Sequence, residues 1–438
     1  MRKQIGSTVL ALALGAGALA GHARAATIKT VALQNQMSPL ASFFYRKFRQ
    51  VAVSDATGQH VAVFAQLRGP KCLFKLDPDG GGDATAACQK DVTPDNRVFG
   101  NFGLPSINVA GNVGFSARVT QGRSGVFQGD PTYVAATGDP VPAPATGLMK
   151  SFSVGRLTDA GDVVFETTIS GGAVMSGVEV NQGIFRCVGG NGNCSTQNGG
   201  TGTLTTLALV DDAVPDRAGR EFCSFAELTA STFGVAFRAF TKLDCANAAE
   251  PAAVGVFRLP LAGTIATVAL QGEPANSFPP MGGTTYATLL EPAIANTGMV
   301  AFRATTAGLL VTSALYRCAP ATCPASPADV VVSAGETDGA GNVFSAFSAP
   351  GVSDVGDVAF DARIRQGPGA HDGLYIKRVG GTLDTIAVGG DPVPGSNPPA
   401  AFRDMARPRM SPGGKVVFPG RERVFTTRKT LRGVFVFE

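Results

Sequence analysis

The groups in this chain that could do chemistry are three histidines, eight cysteines and thirty-three carboxylates. His371-Asp372 has the residue types of a base held by an orienting carboxylate. No nucleophile motif accompanies it: the chain has no Gly-x-Ser-x-Gly, no His-Glu-x-x-His and no phosphate loop. His60 stands where a turn leads into a strand and is expected to be exposed. The loop Asp77-Pro-Asp79-Gly-Gly-Gly-Asp83 presents three carboxylates, which a hard cation such as calcium could use. It lacks the closing Glu of an EF-hand and reads as a solvated loop tip. Five further acids, Asp139, Asp212, Glu273, Glu336 and Asp391, recur at one place after a strand, which suits hydrogen bonds to turn amides. The pairs Asp159/Asp162 and Asp354/Asp357 fit Asx-type turns. On these residues no catalytic group, metal site or cofactor is expected.

The cysteines fall in close pairs: Cys72 with Cys88, Cys187 with Cys194, Cys223 with Cys245, Cys318 with Cys323. Eight cysteines admit 105 pairings, so pairing each with its sequence neighbour is an expectation and not a deduction. Zinc is the alternative, but these spacings without a nearby histidine suit it poorly.

The elements that must position all these groups announce themselves by repetition. A Gly, one residue, Val, one residue, Phe recurs as Gly111-Val113-Phe115, Gly161-Val163-Phe165, Gly298-Val300-Phe302, Gly356-Val358-Phe360 and Gly414-Val416-Phe418. Looser copies end at Phe64 and Phe237. Val and Phe two apart share one face of a strand that leaves a glycine turn. A Pro-x-aliphatic strand end precedes the motif in several units, as in Pro105-Ser-Ile107 and Pro350-Gly-Val352. A Gly/Ala-x-aromatic strand follows it, as in Gly255-Val-Phe257, and a Thr/Val strand closes each unit. The opening Thr27-Ile-Lys-Thr-Val-Ala-Leu-Gln34 copies the fourth strand Thr264-Ile-Ala-Thr-Val-Ala-Leu-Gln271, while the chain ends after a third strand at Phe437. Seven units whose last lacks a strand, with one spare strand in front, imply an all-β, seven-bladed propeller of four-stranded antiparallel blades. The N-terminal strand, residues 27–36, closes the ring on the C-terminal repeat. If the innermost strand leaves the top rim, the 2–3 and 4–1 connections lie on top and the 1–2 and 3–4 connections at the bottom.

Residues 1–25 read as a signal peptide: Arg2 and Lys3, the apolar run Ile5–Ala20, then Ala23-Arg24-Ala25. The run is shorter than the roughly 20 residues a bilayer needs. Residues 26–438 are then expected to be a single propeller domain in a periplasm or outside the cell, with no transmembrane segment after leader removal.

At Asn108-Val-Ala-Gly111-Asn-Val-Gly-Phe115, Asn296-Thr-Gly298-Met-Val-Ala-Phe302 and the Gly390-Asp-Pro392-Val-Pro394 turn, the chain resembles bacterial exported choice-of-anchor tandem repeat proteins of the NxxGxxxAF type. The likeness covers nearly all of the chain after the leader. It departs from the pattern in three ways: two residues, not three, separate the Gly from the residue before Phe, the leading Asn is mostly Ser, Thr or Ala, and no surface-anchoring tail follows. What the resemblance implies is export and a repeat architecture, not an activity.

Charge is the asymmetric feature. Residues 395–438 carry nine basic side chains (Arg403, Arg407, Arg409, Lys415, Arg421, Arg423, Arg428, Lys429 and Arg432) and residues 27–77 carry seven, against five acids in all. Ring closure would merge these segments into one basic sector. Candidate ligand contacts there are Arg421, Arg423, Arg428, Lys429, Arg46 and Lys47. Such a sector attracts anionic partners, an acidic glycan or protein at the top-rim loops. Without helices or interleaved aromatics it does not read as a specific nucleic-acid surface. The function expected is therefore non-enzymatic binding. The alternatives are a carboxylate-based glycan hydrolase or lyase, against which zero Trp and five Tyr count, and a structural cell-surface repeat protein.

Overall fold

Each Val-x-Phe motif lies on the second strand of a four-stranded antiparallel sheet, and seven such sheets form a ring. The computed structural model describes residues 27–54, 60–175, 178–189, 193–276, 284–308, 312–321, 323, 328–366, 369–396, 399–424, 426–427 and 429–438. The expected leader, residues 1–25, lies outside these. Blades 1 to 6 span residues 45–88, 99–136, 148–209, 221–270, 285–333 and 343–388, with strands in chain order from the channel outward. Blade 7 comprises residues 400–437 and takes Ile28–Leu33 as its outermost strand, paired antiparallel with Thr430–Phe437. Among the described residues the helical content is one 3₁₀ turn, Thr196–Asn198. The chain is a seven-bladed β-propeller.

Aromatic triads hold the blades together. In blade 4 the second-strand Phe237 stacks on the third-strand Phe257 at 5.6 Å and 26°, and the inner-strand Phe222 meets Phe257 edge-on at 4.9 Å and 85°. Tyr286–Tyr316–Phe302, Phe344–Tyr375–Phe360 and Phe402–Phe435–Phe418 repeat the arrangement. Stacked and edge-on pairs follow the ring quadrupole, and the triad explains a core built on 28 Phe. Blade 1 departs from the expected spacing. Val63, not Phe64, pairs with Phe74 in the slot that Phe165 fills opposite Phe185 in blade 3. Phe64 turns to the other face and packs on Phe102 of blade 2 at 6.0 Å.

The 1–2 turns explain the variable leading residue of the repeat. Asn108 Oδ1, Thr158 Oγ1, Ser353 Oγ and Ser411 Oγ each accept from the amide four residues on, at 2.9–3.1 Å. Any short side chain with an acceptor oxygen serves there. The residue three after the leading position is Gly at positive φ in blades 2, 3, 5, 6 and 7, for example Gly161 at 87°. The acids expected to make Asx turns act over longer range instead. Asp162 pairs with Arg186 of the third strand and Asp357 with Arg378 just past it, Asp354 accepts from the Asn296 amide of blade 5 at 2.7 Å, and Asp159 accepts from Asn296 Nδ2 at 3.3 Å.

All four neighbour disulfides are present. Cys72 and Cys88 face each other across the third and fourth strands of blade 1. Cys187–Cys194 and Cys318–Cys323 close bottom loops, and Cys223–Cys245 ties an inner strand to a top loop.

Candidate functional site

The recurring turn acids are structural. Asp139, Asp212, Glu336 and Asp391 each accept from the amide three residues before, at 2.7–2.8 Å, and Asp91 and Gln36 do the same in blades 1 and 7. Glu273 instead pairs with Arg217. The triple-Asp loop folds on itself: Asp83 accepts from the Asp77 amide, Asp77 from the Asp79 amide, each at 2.9 Å, and Asp79 pairs with Lys29. His60 is half-buried beside Gly111, not exposed. His371 lies within a strand, Gly369–Lys377, opposite Ile364, rather than in a loop.

Ring closure does bring the two basic segments together. The inner strand of blade 1, Tyr45–Val53, starts at the top rim and packs on the second and third strands of blade 7. There Lys47 and Arg49 meet Arg421 and Arg432. Arg432 and then Arg49, with Arg421 adding, hold the Lys47 ammonium below its usual range, so like charges crowd it. Burial and Arg421 act the same way on Arg432, which Asp404 partly offsets. Arg421 pairs with Asp404 at 3.2 Å. Among the described residues Lys47, Arg49 and Arg432 enter no ion pair. Arg49 also lies 5.9 Å over the Phe64 ring. Arg46 is exposed on the bulge before Lys47, and Lys429 is exposed in the 2–3 turn. Arg428 lies outside the described residues. Arg423 lines a groove of about 560 Å³ between blades 6 and 7 with His371, Gly389, Arg403 and Thr430.

Of the sequence candidates, Lys47 and Arg421 therefore share one cluster and Arg423 borders the adjacent groove. Arg49, Arg403 and Arg432 complete the surface, and the signal that could have found them is the alternation of side chains along strands ending at the top rim. Arg407 and Arg409 leave it: both lie past the top half of the inner strand, Arg407 exposed between its two segments and Arg409 on the wall of the channel. Lys29 and Lys415 are neutralised by Glu438, at 2.7 and 2.8 Å.

The fold is similar to several solved structures of low identity. An oligogalacturonate lyase from Vibrio parahaemolyticus matches at 10% identity and TM-score 0.42, over 94% of this chain and 98% of that one. A puromycin-hydrolyzing peptidase of Mycobacterium tuberculosis matches at 14% and 0.45, over 92% and 56%. The WD40 domain of SCAP from fission yeast matches at 8% and 0.39, over 94% and 87%. At these values the likenesses carry nothing about activity. No curated protein matches the chain. A family model, a family of unknown function designated DUF7453, matches residues 79–437, and the chain belongs to that family.

Proposed function

We propose that this protein is an exported, single-domain propeller that binds its partner without turning it over. The partner is an acidic glycan held on the top face across the seam of blades 7 and 1. The observation that carries this reading is the crowding of Lys47, Arg49, Arg421 and Arg432 from two blades around Asp404. Clustered cations at a protein surface lower their own repulsion by taking up anions, and a polymer that displaces many counter-ions does so best. Four disulfides support export into an oxidising compartment, and no described helix is long and apolar enough to cross a membrane. The resemblance of the repeat motif to exported choice-of-anchor repeat proteins accords with the same reading.

The test is retention of the purified protein on polygalacturonate and on alginate. Retention is expected at about 0.01 M salt and should fade by about 0.15 M, as the Debye length shrinks from about 30 Å to about 8 Å. Lys47→Gln with Arg432→Gln should weaken it at least tenfold. Release of reducing or unsaturated ends would assign catalysis instead, and no retention at low salt would discard the glycan.

A further inference from the structure

The inner strands carry a second feature at the opposite end of the channel. They share one motif: an aromatic or Met, three residues to the next apolar anchor, three more to a Pro, Gly or aliphatic, then one residue and an aliphatic. That one residue lines the same cavity in every blade, although Ser106 Oγ donates to Gly114 O and accepts from the Leu157 amide, and Ala293 packs on the apolar side chains of blade 6. In five blades it is small: Ala52, Ser106, Thr229, Ala293 and Gly351. In blades 3 and 7, well apart around the ring, it is Arg156 and Arg409. The small residues leave a cavity of about 140 Å³, and both arginines line it. That is room for several waters or one small molecule.

Among the described residues neither arginine has a partner of opposite charge. Nη1 of Arg156 is buried with no hydrogen-bond acceptor, and among the described residues neither side chain enters an ion pair. The other charged groups near them do not resolve this. Arg407 adds like charge beside Arg409, and Glu291, which faces Arg409, is paired with Arg303 at 3.4 Å. Asp159 lines the cavity but accepts from Asn296 Nδ2. Burial, then the charge of Arg409, pushes Arg156 down to about 9, a large fall for a group that otherwise stays charged. Two half-buried like charges lining one cavity repel each other until an anion joins them, and planar guanidinium forks bind carboxylate, sulfate or phosphate oxygens in pairs.

We propose that the bottom constriction of the channel is a binding site for one small oxyanion, a carboxylate, sulfate or phosphate, held between Arg156 and Arg409. The site is separate from the top-face patch and from any polymer bound there.

The experiment is thermal unfolding and equilibrium dialysis of the intact exported protein in a chloride buffer of constant ionic strength, with inorganic phosphate, sulfate or succinate replacing chloride. At least one of the three should raise the melting temperature in a saturable manner and bind at one site per chain. The one that does separates an inorganic ion from an organic acid. Arg156→Met and Arg409→Met should each weaken that binding at least tenfold. Lys47→Gln with Arg432→Gln should leave it unchanged, so this site and the top-face patch fail independently. Should the Met variants not fold, Thr229→Glu, at a half-buried position on the cavity wall in the blade beside Arg156, keeps both arginines and adds a carboxylate to the cavity. It should melt higher than wild type in chloride and lose the response. Equal responses to chloride and all three oxyanions, or a saturable response that survives in the Met variants or in Thr229→Glu, would overturn the proposal.

Discussion

A glycine two residues before the third-strand aromatic is a seat for a ring, not a turn. Gly255 is extended, and a Cβ there would lie 2.5 Å from the ring of Phe257; at Gly433 it would lie 2.5 Å from Phe435 and at Gly183 2.8 Å from Phe185. In blades 3, 4, 6 and 7 the ring folds back over its own strand and fills the space a side chain would take, an intrastrand version of aromatic cover over a strand glycine. Blade 5 has Ala314 at this place before Tyr316, so one methyl is accommodated by a small shift of the ring. A branched side chain is not. Gly255→Val should destabilise the protein by about 1–3 kcal/mol through overpacking, and Gly255→Ala by clearly less. Denaturant unfolding measures both, and a Gly255→Val midpoint equal to wild type would remove the seat from the account.

At the scale of elements, the strand Ile28–Leu33 decides whether the ring is a ring. It makes the outer edge of blade 7, with Gln34 N donating to Arg432 O at 2.7 Å and Lys29 bridging Asp79 of blade 1 and Glu438 of blade 7. Without it, Thr430–Phe437 becomes an open edge, which recruits other strands. Removing residues 27–34 should lower the melting temperature and produce concentration-dependent oligomers by light scattering, both reversed by a peptide of residues 27–36. A monomer of unchanged stability would break the closure argument. Closure was legible because residues 27–34 copy a known fourth strand. Register within blade 1 was not. Val63 and Phe64 are both apolar and both faces of the blade are buried, so a one-residue slip leaves no trace in the pattern. The site shows the same boundary. Counting charge along the chain found blade 7, yet Arg421 and Arg409 sit twelve residues apart at opposite ends of it, one on the rim and one in the channel. Which end a residue reaches depends on where the strand turns, and a charge count holds no such information.

The whole molecule carries its acids in two opposed environments, and this sets how its stability varies with pH. Asp95, Asp338 and Glu438 are held below their ordinary range, the first two by hydrogen bonds that outweigh burial, the third by Lys29 and Lys415. Their contribution is present above the unfolded values and is lost as pH falls through the folded ones. Glu166, Asp212 and Glu422 are raised by burial, and burial lifts Asp361 from its ordinary 3.8 to about 6, against hydrogen bonds from Ser348 Oγ and the Arg407 amide. For these the folded state holds protons that the unfolded chain has released between about pH 4 and 6, so stability falls as pH rises across that window. The two sets together place the maximum near pH 4, about the unfolded carboxylate values, with a decline on either side. Asp361 alone accounts for at most about 3 kcal/mol of the decline toward neutrality, at 1.36 kcal/mol per pH unit of displacement. Asp361→Asn keeps an acceptor for Ser348 and Arg407 but cannot ionise. Melting curves from pH 3 to 8 should show the variant matching wild type at pH 4 and exceeding it at pH 7, while the fall below pH 4 is common to both. Profiles that superimpose across the range would mean that Asp361 is hydrated in the folded chain and ionises at its ordinary value.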